Sequence, residues 1–90
     1  MEIKFAPKAE EDREFWKKSG NQFIMNRISA LLTDISEHPY TGIGKPEKLK
    51  YDLAGKWSRR INDEHRIVYS VNESENIIDV LALRYHYTKK

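Results

Sequence analysis

The stretch Pro39-Tyr40-Thr41-Gly42-Ile43-Gly44-Lys45-Pro46 divides this chain into two halves with different hydrophobic periods. Two prolines and two glycines among eight residues make it a loop with a restricted path. Before it, Ile24, Ile28, Leu31 and Ile35 recur at spacings of four, three and four, the stripe of an amphipathic helix. Phe23 and Leu32 widen the stripe, Asn21 is a good N-cap, and His38 before Pro39 ends the helix. Further upstream, Ile3 and Phe5 alternate with charged neighbours, which predicts a strand from Glu2 to Ala6. Pro7 suits a first helical turn, and Lys8 to Lys18 reads as a helix anchored by Phe15 and Trp16 and stopped at Ser19-Gly20.

After the loop the period shortens. Trp57 to Ile61, His65 to Val71 and Asn76 to Tyr87 are rich in β-branched and aromatic residues, and turn-like Asn62-Asp63-Glu64 and Asn72-Glu73-Ser74-Glu75 separate them. The expected fold is α+β: an N-terminal strand, a two-helix hairpin, then an antiparallel meander of three or four strands. The helices should pack on one sheet face and leave the other available. Ninety residues suffice for one domain, spanning 1–90. The balance of 39% hydrophobic and 33% charged residues is that of a globular chain rather than a disordered one.

The chain has no cysteine, so disulfides, thiolate zinc ligation and a cysteine nucleophile are excluded. The N-terminus lacks the layout of a signal peptide, and no run approaches the roughly 20 apolar residues of a membrane span. A soluble, cytoplasmic protein without a membrane partner is the expectation. The net charge of +2 says little by itself. Its distribution says more, because seven of the ten basic residues in the second half lie between Lys45 and Arg66, a segment suited to a phosphate backbone.

Strand alternation groups the candidate chemistry. In the strand from His65, Arg66, Val68 and Ser70 point away from Ile67, Tyr69 and Val71. In the last strand Val80, Ala82, Arg84 and His86 oppose Leu81, Leu83, Tyr85 and Tyr87. Arg66 and His86 can then share a face, and the segments around them could bring Glu47, Lys50 and Arg60 to the same surface. One carboxylate, one imidazole and several cations are what cleavage of RNA through its own 2′-hydroxyl requires: a base for the hydroxyl proton, cations for the charge on phosphorus, and an acid for the departing oxygen. An imidazole with a reference pKa of about 6.5 suits the acid, and a glutamate at about 4.3 suits the base.

Each residue also has a plainer explanation. Glu47 after Pro46 can be a solvated loop carboxylate, Arg59-Arg60 an exposed face, and Arg66 the surface partner of Glu64. Trp16, Trp57, Tyr69 and Tyr85 read as core, whereas Tyr51 and Tyr87 lie where an unstacked base could be met. His38 reads as a helix-end residue. Glu64-His65 lacks the spacing of a zinc helix, so no metal site and no cofactor is expected.

Four blocks carry a resemblance: Gly42 to Lys50, Leu53 to Ile61, Glu64 to Tyr69, and Arg84-Tyr85-His86-Tyr87. In this order and with these gaps they resemble the YoeB/Txe toxins of the RelE-like superfamily, while the first half agrees in pattern only. The resemblance implies a microbial-ribonuclease-like fold and a toxin of a type II toxin-antitoxin system. Its activity would be that of a ribosome-dependent, metal-independent endoribonuclease that cuts messenger RNA in the ribosomal A site and inhibits translation. By position, Glu47 would be the general base, His86 the general acid and Arg66 the stabiliser of the transition state. Lys50 and Arg60 would grip phosphate, Glu64 would orient neighbouring groups, Tyr87 would position the substrate, and Tyr51 is a further candidate for base contact. The implied partners are a YefM-like antitoxin, the ribosome with its message, a second copy of the chain, and operator DNA only through the antitoxin complex.

Two features stand apart from that pattern. Such toxins often stop at or near the final tyrosine, whereas this chain adds Thr88-Lys89-Lys90. His86 and Tyr87, being consecutive, can join one site only where the strand ends or twists. Two other readings of the fold stand beside catalysis: a weakly catalytic module that mainly completes a DNA-binding repressor with its antitoxin, and an interaction domain whose basic strip recognises acidic protein or ribosomal RNA.

Overall fold

In the computed structural model, which describes residues 1–84, the chain opens with strand β1 (Glu2–Phe5), followed by helices α1 (Pro7–Ser19) and α2 (Gln22–Glu37). Pro7 stands in the first turn of α1, where its missing N–H costs nothing, and Gly20 closes the helix with a left-handed φ of 70°. The Asn21 side chain caps α2 by accepting from the Ile24 N–H at 3.1 Å, a contact of a kind worth about 1 kcal/mol. Ile24, Ile28, Leu31 and Ile35 are all buried, as their spacing predicts. Phe23 does not widen the stripe: it is 73% exposed. Trp16 anchors α1, but its neighbour Phe15 lies edge-on to it and is 41% exposed.

Strands β2 (Glu47–Lys48), β3 (Lys56–Arg60), β4 (Arg66–Asn72) and β5 (Ile77–Ala82) complete a five-stranded sheet in the order β1-β5-β4-β3-β2. A short 3-10 turn at Tyr51–Leu53 links β2 to β3. The four later strands pair antiparallel, and β1 joins β5 in parallel. Ile67, Tyr69, Ile78 and Val80 share one buried cluster with Trp16 and the α2 stripe, so the helices cover one face of the sheet.

Among the described residues, the last strand runs from Ile77 to Ala82 and is followed by a bend at Leu83 and Arg84. Regular pairing stops at Ala82, and Leu81 is an extra residue in the ladder: Tyr69 stands opposite Val80, yet Val68 stands opposite Ala82. Val80 therefore sides with the core residue Tyr69 while Ala82 sides with Val68, so the simple alternation expected through this strand fails at Leu81. Tyr85, His86 and Tyr87 lie outside the described residues. Among the described residues, no helix is long and apolar enough to cross a membrane.

Candidate active site

The loop between α2 and β2 is shaped from beneath by Arg59. Expected on an exposed face, this side chain is fully buried instead. Its Nη1 donates to Asp34 Oδ2 at 2.5 Å and to the Ile43 carbonyl at 3.1 Å. Its Nη2 donates to the carbonyls of Thr41, at 3.0 Å, and His38, and its Nε donates to the Tyr69 hydroxyl at 3.1 Å. The Tyr69 hydroxyl in turn donates to the Pro39 carbonyl at 2.7 Å. The physical reason for burial is a match of numbers. A helix end and a tight loop expose carbonyls in excess, and a guanidinium supplies five donors in a fixed fork. The Arg59 guanidinium beside Asp34 holds that carboxyl below its ordinary 3.8, with the Ile43 N–H adding to the effect against a desolvation that opposes it. Burial raises the Tyr69 phenol, and the Arg59 bond only partly offsets that rise.

Gly42 and Gly44 permit this close seating. A Cβ on Gly42 would stand 1.9 Å from Asp34 Oδ2, and one on Gly44 would stand 2.7 Å from Leu31 Cδ2, each at a φ that favours glycine. The Arg60 N–H then takes the Gly44 carbonyl at 2.7 Å, and the chain turns through Lys45, at a φ of 54°, into β2.

This path sets Glu47 opposite Ser58 in the β2–β3 register, while Arg60 stands opposite Arg66 between β3 and β4. Directly opposed residues share a face, as do residues two apart on one strand, so Glu47, Ser58, Arg60 and Arg66 lie together on the side away from the helices. Arg66 Nη1 donates to Glu47 Oε1 and to Ser58 Oγ, both at 3.3 Å. Its partner is thus Glu47 rather than Glu64. Glu64 is exposed, with Oε1 3.6 Å from Nε2 of His65, a buried histidine edge-on to Trp16. Arg60 is exposed and 3.9 Å from Asp63. Lys50 is exposed at the start of the 3-10 turn, and Tyr51 is 80% exposed with a left-handed φ of 58°. His86 and Tyr87 lie outside the described residues.

The backbone just past β5 is fixed by α1 at Leu83. Asp12, 1% exposed, accepts the Leu83 N–H at 2.8 Å, and the Trp16 indole donates to the Leu83 carbonyl at 2.9 Å. Asp12 and Trp16 are four apart on one helix face, so a single turn of helix satisfies both backbone groups of Leu83 just past Ala82. Lys8 balances the Asp12 charge at 2.6 Å. Arg84 then lies over the Phe15 ring at 3.6 Å.

Four residues that organise the site, Asp12, Asp34, Arg59 and the hydroxyl of Tyr69, carry no sequence signal beyond the i, i+4 pairing of Lys8 with Asp12. Among the described residues, no three histidine, aspartate or glutamate side chains gather as a ligand set for a metal ion. A hollow lined by Phe5, Trp16, Met25, Ile28, Leu32 and Leu83 opens on the helix side of the sheet, away from the Glu47–Arg66 face.

The chain is similar to known proteins over nearly its whole length. Toxin YoeB of Streptomyces coelicolor is 44% identical over 97% of this chain and 100% of its own length. The solved YoeB/ParE toxin from Agrobacterium tumefaciens superposes with a TM-score of 0.91 at 39% identity, covering 97% of this chain and 100% of that one. A heterotetrameric YoeB-YefM toxin-antitoxin complex from Staphylococcus aureus contains a chain that matches at 42% identity and a TM-score of 0.84, over 97% of this chain and 98% of its own. The family described as the YoeB-like toxin of bacterial type II toxin-antitoxin systems matches residues 5–87, and this chain belongs to it.

Proposed function

We propose that this protein is a ribosome-dependent endoribonuclease that cuts messenger RNA in the ribosomal A site without a metal ion, acting as a single domain over 1–90. The observation that carries the reading is the approach of Glu47 to Arg66 at 3.3 Å on the sheet face away from the helices, with Arg60 opposite Arg66. As a stabilising contact this pair is worth little. The Glu47 side chain is 62% exposed, and such surface pairs contribute about 0–1 kcal/mol. A carboxylate and two guanidinium groups on one open face are better explained by a phosphodiester placed across them.

In the proposed reaction Glu47 accepts the proton of the ribose 2′-hydroxyl. The freed oxygen attacks the adjacent phosphorus, and Arg66, assisted by Lys50 and Arg60, stabilises the charge that builds on the phosphoryl oxygens. His86 donates a proton to the departing 5′ oxygen as its bond to phosphorus breaks. The products are a 2′,3′-cyclic phosphate and a 5′-hydroxyl. Glu64 orients neighbouring groups, while Tyr51 and Tyr87 meet the bases. A YefM-like antitoxin as partner is supported by the Staphylococcus aureus complex, and we propose a homodimer among the assembly states and operator DNA contact only through the antitoxin.

The test is cleavage of a ribosome-bound message by the wild type, Glu47→Gln and Arg66→Ala, with the fragment ends mapped. Arg66→Ala is expected to lower cleavage by at least ~10²-fold, as loss of a charge aimed at a developing oxyanion does. Unchanged cutting by either variant, or 5′-phosphate ends, would overturn the mechanism.

A further inference from the structure

Outside the Glu47–Arg66 face, a buried cation lies beneath the 39–46 loop. We infer that Arg59 is a positioning residue for Glu47, holding that loop in the one path that sets the carboxylate against Arg66. The inference rests on the proposed role of Glu47 and extends it. The strand bearing Glu47 is two residues long, and its pairing with β3 is a weak anchor by itself. The backbone leading into it has no regular structure. Its carbonyls at His38, Thr41 and Ile43 instead converge on one guanidinium, the Ile43 N–H is held by Asp34 Oδ2 at 3.1 Å, and Gly44 is bonded to Arg60. Arg59 stands between Ser58 and Arg60 on β3, facing the opposite side of the sheet from both. One strand therefore faces the site with Ser58 and Arg60 while its intervening residue grips the loop from below.

Replacing Arg59 itself removes a buried charge and threatens the fold, so the decisive variant is Gly42→Ala. Its Cβ would displace Asp34 Oδ2 and crowd Arg59 Nη1, unseating the loop while leaving every polar group of the anchor in the chain. Gly20→Ala is the control, since it strains a left-handed φ of 70° with open space around it and far from the site in the chain.

Amide hydrogen exchange on the purified chain reads the seat directly. The Arg60 N–H reports on its bond to Gly44, and the Leu49 N–H, bonded to the Lys56 carbonyl at 2.9 Å, reports on the strand that carries Glu47. Gly42→Ala is expected to speed exchange at both by about tenfold, with the core amides of β4 unchanged, whereas Gly20→Ala leaves Arg60 and Leu49 as in the wild type. Protection at Leu49 that survives Gly42→Ala would overturn the inference, because β2 would then hold Glu47 without the loop.

A double-mutant cycle in ribosome-programmed cleavage supplies the catalytic readout. Gly42→Ala should reduce kcat by about tenfold in the wild type and have no further effect in Glu47→Gln. An equal reduction in both backgrounds would show that the loop acts generally and not through Glu47. If Glu47→Gln alone cuts like the wild type, the base assignment fails, and persistence of the Leu49 exchange effect would still establish the anchoring.

Discussion

Two stretches of irregular backbone flank the sheet, the loop before Glu47 and the turn after Ala82, and they are held by opposite means. The first presents carbonyls in excess and is gathered by a buried cation from the neighbouring strand, with a carboxylate at its edge. The second presents one N–H and one carbonyl at Leu83, and two side chains on a single turn of α1 meet them, one accepting and one donating. The chain thus answers each orphaned backbone group with its complement, as burial requires. The cation serves a long loop with many acceptors, whereas the helix pair serves one residue. Disturbing the first should therefore cost more and spread further.

The largest effect expected is that of Arg59→Met, which keeps an unbranched side chain but strips the donors from three carbonyls and a phenol together. A loss of about 3–5 kcal/mol is expected, because the carbonyls and Asp34 are left without their common partner. In a chain of this size each kcal/mol lowers Tm by about 4–8 °C, so calorimetry reads it plainly. A loss below that of the helix-side variants would break the comparison.

On the helix side, Asp12→Ala should cost about 1–3 kcal/mol, the penalty of a buried N–H left unpaired. Trp16→Phe, which keeps most of the ring but removes the indole donor, should cost somewhat less. These two are expected to be non-additive, since both act on Leu83, and denaturant titration of the singles and the double measures the coupling. Full additivity would mean that the two contacts do not form one clamp.

The difference between the regions also explains what could be read in advance. The α2 stripe was legible because Ile24, Ile28, Leu31 and Ile35 obey a period that packing rewards, and the order of strand, helices and meander follows from similar patterns. Arg59 was not legible. Its burial depends on carbonyls from residues 38, 41 and 43, whose convergence is set by a loop path and not by any period. The irregularity in β5 was hidden for a related reason: the extra residue at Leu81 resets an alternation that composition alone carries straight through the strand. Glu47 and Arg66 lie between these cases: a shared surface could be expected for them, but the two-residue strand that carries Glu47 has no period to betray it, and the contact between them could not be read.

The smallest effect is expected at the solvent edge of the loop anchor, and it depends on pH. Asp34 is held below its ordinary 3.8 chiefly by the Arg59 hydrogen bond. A carboxyl whose pKa falls on folding adds stability that is fully present above the unfolded value, and the contribution drains away as the pH drops from there through the folded value. Wild-type protein should therefore exceed Asp34→Asn in stability by a constant margin at neutral pH. That margin should begin to shrink near pH 3.8 and vanish only at greater acidity. Because Arg59 keeps its carbonyl partners in the variant, the margin should be smaller than the losses from Arg59→Met or Asp12→Ala. Urea titrations of both proteins at stepped pH decide the point: a gap that stays constant through the acid range would mean that the Asp34 charge contributes nothing to holding the loop.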